Sequence, residues 1–536
     1  MQLKNYLMQQ KKLIQVFNII ICSIILSIFA FYVNFYYGSL GLFPIDSLSH
    51  FDTGYRITLG EYPFKDYWAI SGPAIDYIQA IFFYFFGVSW NSYILHTSLL
   101  NLFLSLFIFF FFLKLKVRLV LSFFFSICFS ILAYPSSGTP FVDHHATFFS
   151  LIGICLIILN FERNSKFFSF IIPIVFFISF FSKQVPSSYV IFFSTFFILL
   201  ETYFKKNYQL IKYYFFGTIV SLIIILIIGY YSKINLQDFL VQYIYYPPTI
   251  GSSRINALNI DFKNFFLNFK LIWFLMIPII FINIKNFIKT KNIFKEKKIY
   301  TIGVLASFVF SLIFHQLITL NQIFIFFLIP ILAAFLILEL ENKNYKTFLT
   351  LLIVLFTIYS TQKYHLRFNE NRKFHELVNI DLEKNIKAEK LDYRLKNLKW
   401  ITPLEKNPNE EIKNIKNAIE YINSNTSELM VITNYSFFSA LTHRKLHSPI
   451  RWFIMNGNSH PLENNKYYDI YKKFLLNKIL NNKIVEILSI GIDDTNYIEE
   501  LLSGNCIIIK NKINSILISH LVKNCAIVSK NDYKKS

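Results

Sequence analysis

Residues Leu13–Tyr36 read LIQVFNIIICSIILSIFAFYVNFY, with no charged side chain anywhere in the run. At a rise of about 1.5 Å per residue, a helix over this stretch covers the roughly 30 Å hydrocarbon core of a bilayer. Inside that core each backbone amide must be satisfied within the chain, which makes the run a helix rather than a strand. Lys11 and Lys12 stand before it, and no small-residue cleavage site follows. The expectation is an uncleaved membrane anchor.

Similar runs recur at about 91–113, 119–135, 144–161, 167–182, 187–204, 213–231, 269–284, 299–314, 321–338 and 347–360. The reading is therefore a mainly α polytopic membrane protein with about eleven transmembrane helices. Charge parity gives a separate check. With the N-terminus cytoplasmic, the inside loops carry Lys114, Lys116 and Arg118, then Arg163 and Lys166, then Lys205, Lys206 and Lys212. They continue with the 285–298 lysines, then Lys343 and Lys346. The intervening outside segments are poorer in cations: 37–90 holds only Arg56 and Lys65, 136–143 none, and 232–266 Lys233, Arg254 and Lys263. An odd count places everything after residue 360 outside.

Composition agrees. Of 536 residues, 54% are hydrophobic and 16% charged, against roughly 25% charged in an ordinary globular chain. This excludes a cytosolic enzyme, a nucleic-acid-binding protein and a disordered chain. The net charge of +21 sits in short loops and the tail, where it reads as positive-inside topology and not as a nucleic-acid surface. Of the five cysteines, Cys22, Cys128 and Cys155 fall in apolar runs. Cys506 and Cys525 lie in polar sequence that this topology puts in an oxidising compartment, where a disulfide is open to them.

Two outside loops are long. The first, 37–90, ends in the apolar run Ile75–Phe86, too short to span and suited to an interfacial helix. The second covers 232–266. Residues 361–536 change character: long apolar runs stop, and Lys, Asn, Glu and Asp rise. Ile412, Ile415, Ile419 and Ile422 share one helical face over 409–424. Strands are expected at 428–434, 483–492 and 506–511, and helices at 466–480 and 496–503. The division is a transmembrane body, 1–360, and a small C-terminal α/β extracytoplasmic domain, 361–536.

Acids are scarce outside the tail, so those in outside loops carry information. The first loop reads Phe43-Pro44-Ile45-Asp46-Ser47-Leu48-Ser49-His50-Phe51-Asp52, and then reaches Glu61 and Asp66. If 47–59 is helical, Asp46 is its N-cap, or else a reactive carboxylate. Asp143-His144-His145 begins a span; it can cap the helix, bind a divalent ion or contact phosphate. Lys183, in an otherwise apolar stretch at the outer surface, either snorkels or meets a phosphate head group. Arg254, beside Tyr245-Tyr246-Pro247-Pro248, is a second phosphate candidate. His315 sits at another outer end, where a lone histidine is more often packed than reactive.

The order of these features resembles the GT-C class of integral-membrane glycosyltransferases. The similar branch is the bacterial one of protein mannosyltransferases, lipid A aminoarabinose transferases and rhizobial lipopolysaccharide-core glycosyltransferases. The residues that carry the resemblance are Asp46, ten positions before Arg56-Ile57, then Gly60-Glu61-Tyr62-Pro63-Phe64-Lys65-Asp66-Tyr67-Trp68, Gly72-Pro73 and Phe86-Gly87. The likeness is closest over 40–115 and holds in span order to about 360. It departs where many relatives carry an acidic pair: Ser47 follows Asp46, and Asp52 stands six positions on.

The resemblance implies sugar transfer from a polyprenyl-phosphate donor to a hydroxyl of a cell-envelope glycan, lipid or protein, on the outer face of a bacterial inner membrane. It makes Asp46 the general base, with Asp52 the second carboxylate. Lys183 and Arg254 become donor-phosphate ligands, and Asp66, Asp143 and His144 substrate or metal contacts. No cofactor is called for outright, and a divalent metal ion stays open. A membrane glycan polymerase or ligase, and a transporter of lipid-linked substrate, are the competing readings.

Overall fold

The computed structural model describes residues 2–288, 296–320, 325–340, 345–454, 456–492, 501–502, 507–513 and 516–522. Among them, eight helices are long and apolar enough to cross a membrane: Leu13–Gly38, Trp90–Lys114, Leu119–Ser136, Val142–Arg163, Gln184–Lys205, Tyr208–Tyr231, Lys270–Ile288 and Lys297–Thr319. The chain is a helical, membrane-embedded protein with a small sheet region near its C-terminus. The other expected spans are also helical but shorter or less apolar. Lys166–Ser182 is 17 residues with Pro173 inside, and Lys346–His365 runs past residue 360 into polar sequence. The run expected at 321–338 has residues 321–324 outside the described set; its helix is Leu328–Glu339, entered through a turn at Ile325–Phe327.

Burial ranks the helices. Val142–Arg163 buries 94% of its apolar window, whereas Leu13–Gly38 and Tyr208–Tyr231 bury 11%. The first is therefore the bundle's central post, and the others present apolar side chains outward, as a lipid-facing helix does at no hydrophobic penalty. Close packing around the post uses small residues: a Cβ built at Gly153 would lie 2.2 Å from the Phe176 ring. Hydroxyls seal the contact, with Ser179 Oγ 2.7 Å from both Ser150 Oγ and Ser187 Oγ.

The first loop is folded throughout. Pro44 starts a short helix, Pro44–Ser47, one turn earlier than expected; Leu48 breaks it, and Ser49–Thr58 follows. The apolar run becomes the helix Pro73–Phe86, entered from Gly72 at φ 72°. Its outer face is apolar, with Ile81, Tyr84, Phe85 and Phe86 exposed. The 232–266 loop is also largely helical, including Leu236–Phe239 and Pro247–Asn256.

The tail holds the helix Pro408–Ser424, capped by the Asn407 side chain. Its Ile412, Ile415 and Ile422 are buried, each adding on the order of 1.5–3 kcal/mol by leaving water. They pack in one core with the strands Leu429–Thr433 and Glu486–Ile490. These two strands are parallel, connected through the helix Tyr468–Asn481. The sheet is completed by Ile516–Val522, antiparallel to Glu486–Ile490, and then by Ile507–Ile513 at the edge. The strand at 516–522 was not expected from the sequence. Most of the helix expected at 496–503 lies outside the described residues, as do Cys506 and Cys525.

The tail is joined to the first loop by backbone. Gly41 N donates to Lys399 O, Leu42 N to Ile401 O, Asp52 N to Ser436 O and Trp68 N to Pro449 O.

Candidate active site

The turn that presents Asp46 is pinned from several sides. Ser47 Oγ accepts from Phe43 N at 3.0 Å and meets His375 Nδ1 at 3.0 Å. Tyr93 OH donates to Ser47 O at 2.9 Å. His375 Nε2 lies 2.9 Å from Ser137 O, a pure acceptor, so the proton belongs on Nε2 and Nδ1 accepts. Burial first, and the nearby Arg372 next, push the His375 pKa well down, so this neutral tautomer persists.

Asp46 caps no helix. The N-cap of Ser49–Thr58 is Leu48, with no side-chain cap. Among the described residues the half-buried Asp46 carboxylate accepts no hydrogen bond. Burial raises its pKa most, the Asp143 carboxylate raises it further, Lys183 pulls it back, and Glu376 adds to the rise; the result is about 7. A carboxylate without a structural partner that titrates near neutrality has the properties of a general base.

Asp143 lies in the first turn of Val142–Arg163 and makes no cap either. Lys183 sits in an extended link (φ −161°, ψ 135°) between Lys166–Ser182 and Gln184–Lys205. Its Nζ reaches both Asp143 oxygens at 2.8 Å, and His315 Nε2 meets Asp143 Oδ1 at 2.7 Å. The Lys183 side chain keeps 23% of its exposure while Asp143 keeps 5%, so the cation remains reachable and the acid does not. Arg254 donates to Asn458 Oδ1 at 2.8 Å, and its charge acts on His315. Asp46, Asp143, Lys183, His315 and Arg254 thus share one electrostatic neighbourhood.

Asp52 and Asp66 are engaged elsewhere, whereas the Asp143 charge also acts on His144. Asp52 is turned to the tail, where it accepts from Ser439 Oγ at 2.9 Å and Ala440 N at 3.1 Å. Asp66 accepts from Tyr62 N at 2.8 Å, closing a turn, with Lys65 at 3.6 Å. His144 packs among Tyr134, Phe141, Phe148 and Phe374, and meets Ser136 Oγ at 2.8 Å. Adjacent residues at a helix start project to different sides, which separates it from Asp143. Among the described residues no three His, Cys, Asp or Glu side chains converge as a metal-ligand set.

A further buried acid, not among the sequence candidates, is Asp76. Asp76 accepts from Thr53 Oγ1 at 2.6 Å, Tyr67 OH at 2.9 Å and Arg451, and pairs with His50 Nδ1 at 2.7 Å. Burial pushes its pKa up, but Arg451 and His50 outweigh burial and hold it below the usual carboxylate range. Arg451 also donates to Ser71 O. The signal was present: a lone Asp at the start of the apolar run 75–86.

Comparison with known proteins adds no family. No protein-family model matches the sequence, and no curated protein matches it.

Proposed function

We propose that the chain is a GT-C-like glycosyltransferase that moves a sugar from a polyprenyl-phosphate donor to a hydroxyl of a cell-envelope acceptor. The observation that carries this reading is Asp46: half-buried, free of any capping role, raised to about 7, and within the field of the Asp143–Lys183 pair. In the reaction Asp46 takes the acceptor hydroxyl proton as the oxygen bonds to the anomeric carbon. The bond from that carbon to the phosphate oxygen breaks, and polyprenyl phosphate leaves with the electron pair. Lys183, aided by the charge of Arg254, stabilises the growing negative charge. Asp143 and His315 hold Lys183 in place. Buried Asp52 docks the first loop on the tail, and half-buried Asp66 shapes it.

The topology belongs to the same proposal. About eleven spans, with Lys166–Ser182, the 321–338 run and Lys346–His365 crossing as well, put the N-terminus in the cytoplasm. The first loop and the tail then lie outside a bacterial inner membrane. Cation parity of the loops supports it.

The test is reconstitution in proteoliposomes with a panel of polyprenyl-phosphate sugars and crude envelope acceptors. Release of polyprenyl phosphate from at least one donor, coupled to acceptor labelling, is expected. Turnover of none would move the polymerase and transporter readings ahead.

A further inference from the structure

A cleft of about 480 Å³ opens in the tail, within the roughly 300–1,000 Å³ of ordinary ligand pockets. It lies past the carboxyl ends of the parallel strands: Asn434 and Tyr435 follow the first, and Gly491 and Ile492 follow the second. That edge is where open α/β sheets place ligands, because the connections splay apart there. One wall is Ile45, the residue before Asp46. The cleft and the candidate base therefore share a single short helix.

The lining has a definite chemistry. Among the described residues it includes the carboxylates Glu405 and Glu411, the amides Asn414 and Asn434, and the rings of Tyr435 and Phe453. The rest of the described lining is Gly491 and six Ile or Leu side chains, with no Lys, Arg or His among the described residues. An anion would meet two carboxylates and no counter-charge, so the phosphate belongs at Lys183 and not here. A neutral sugar matches: hydroxyl edges for the amides and acids, C–H faces for the rings. The wall is also braced. Glu411 accepts from Trp400 Nε1 at 2.8 Å, Thr402 Oγ1 at 2.7 Å and Tyr435 OH at 2.7 Å. Gly491, at φ 64°, leaves room for the Tyr435 ring, which a Cβ there would approach to 2.7 Å. Asn434 Oδ1 accepts from Phe453 N at 2.8 Å, which leaves its amide hydrogens for a ligand.

We propose that this cleft binds the acceptor as a neutral, hydroxyl-rich saccharide. The acceptor role rests on the transferase reading; the saccharide site stands on the lining itself. The experiment is saturation-transfer NMR on the full chain in detergent micelles. The probes are maltotriose, mannotriose, tri-N-acetylchitotriose and trigalacturonate. At least one neutral trisaccharide should bind, and trigalacturonate should not. Asn414→Trp, at an exposed helix position, should fill the cleft and weaken binding about ten-fold or more. Glu405→Lys should weaken it too, and serves if the Trp variant misfolds. Binding of no neutral probe, preference for the uronate, or binding untouched by these variants overturns the proposal. Binding without transfer from any donor would sink the transferase reading and keep the site; transfer without binding would do the reverse.

Discussion

Replacing Arg451 by Met should loosen the tail from the first loop. The Arg451–Asp76 pair is buried on both sides, with side chains 2% and 0% exposed, so solvent screening does not reduce its worth. Removing one partner of such a pair typically costs about 3–5 kcal/mol, because the other charge stays buried without compensation. His50, Thr53 and Tyr67 still hold Asp76, which places the expectation at the lower end, about 3 kcal/mol. At about 1.4 kcal/mol per decade this is roughly a 100-fold rise in the open population. Limited proteolysis of the first loop reads that population directly while reclosing outpaces cleavage. Asp76→Asn should cost a comparable amount, and the double variant should fall short of the sum by about 0.5–3 kcal/mol. Asp76 has a depressed folded pKa, so its contribution is complete above the unfolded value of about 3.9 and lost as pH falls through the folded one. The Asp76 contribution to docking should therefore be flat from pH 5 to 8. Cleavage rates equal to wild type in Arg451→Met, or strictly additive costs, would refute the latch.

Three further outcomes follow from the same geometry. Lys183→Met removes the charge that pulls Asp46 down, so the acidic limb of the pH–rate profile should move to higher pH and transfer should slow. Asp143→Asn removes the charge that pushes Asp46 up, so that limb should move to lower pH; shifts of the same sign in both would contradict the arrangement. His375→Phe unpins the Pro44–Ser47 turn and should lower kcat more than it alters donor KM, as measured by steady-state transfer.

The membrane body was legible because hydrophobic runs and loop cations act locally. Leu13–Tyr36 announces a helix without reference to the rest of the chain. The strand and helix order at 409–492 was legible for the same reason, since Ile412, Ile415 and Ile422 carry the helical period by themselves. Spans at 167–182 and 321–338 were less distinct because Pro173 and the turn at Ile325–Phe327 interrupt them. The site was legible only in part. Asp46, Asp143 and Lys183 stood out as rare charges at apolar edges, yet their meeting depends on tertiary packing. His315 closes on Asp143 across 172 residues and Arg451 on Asp76 across 375, distances no local pattern encodes. Asp52 drew notice as a neighbour of Asp46, but the Leu48 break and the helix beyond it turn its carboxylate to the tail. Asp76 is hard to single out in the sequence because its surroundings read as an interfacial helix.

The central claim is that Asp46 is the base. Its most direct test is the pH–rate profile of sugar transfer in proteoliposomes for wild type and Asp46→Asn, with folding of both confirmed by thermal unfolding. The substitution keeps size and removes the charge. Wild type should gain activity through a pKa of about 7, and Asp46→Asn should lose that limb and fall by about 10²–10⁴-fold. An Asp46→Asn enzyme of wild-type rate and wild-type pH dependence would contradict the account.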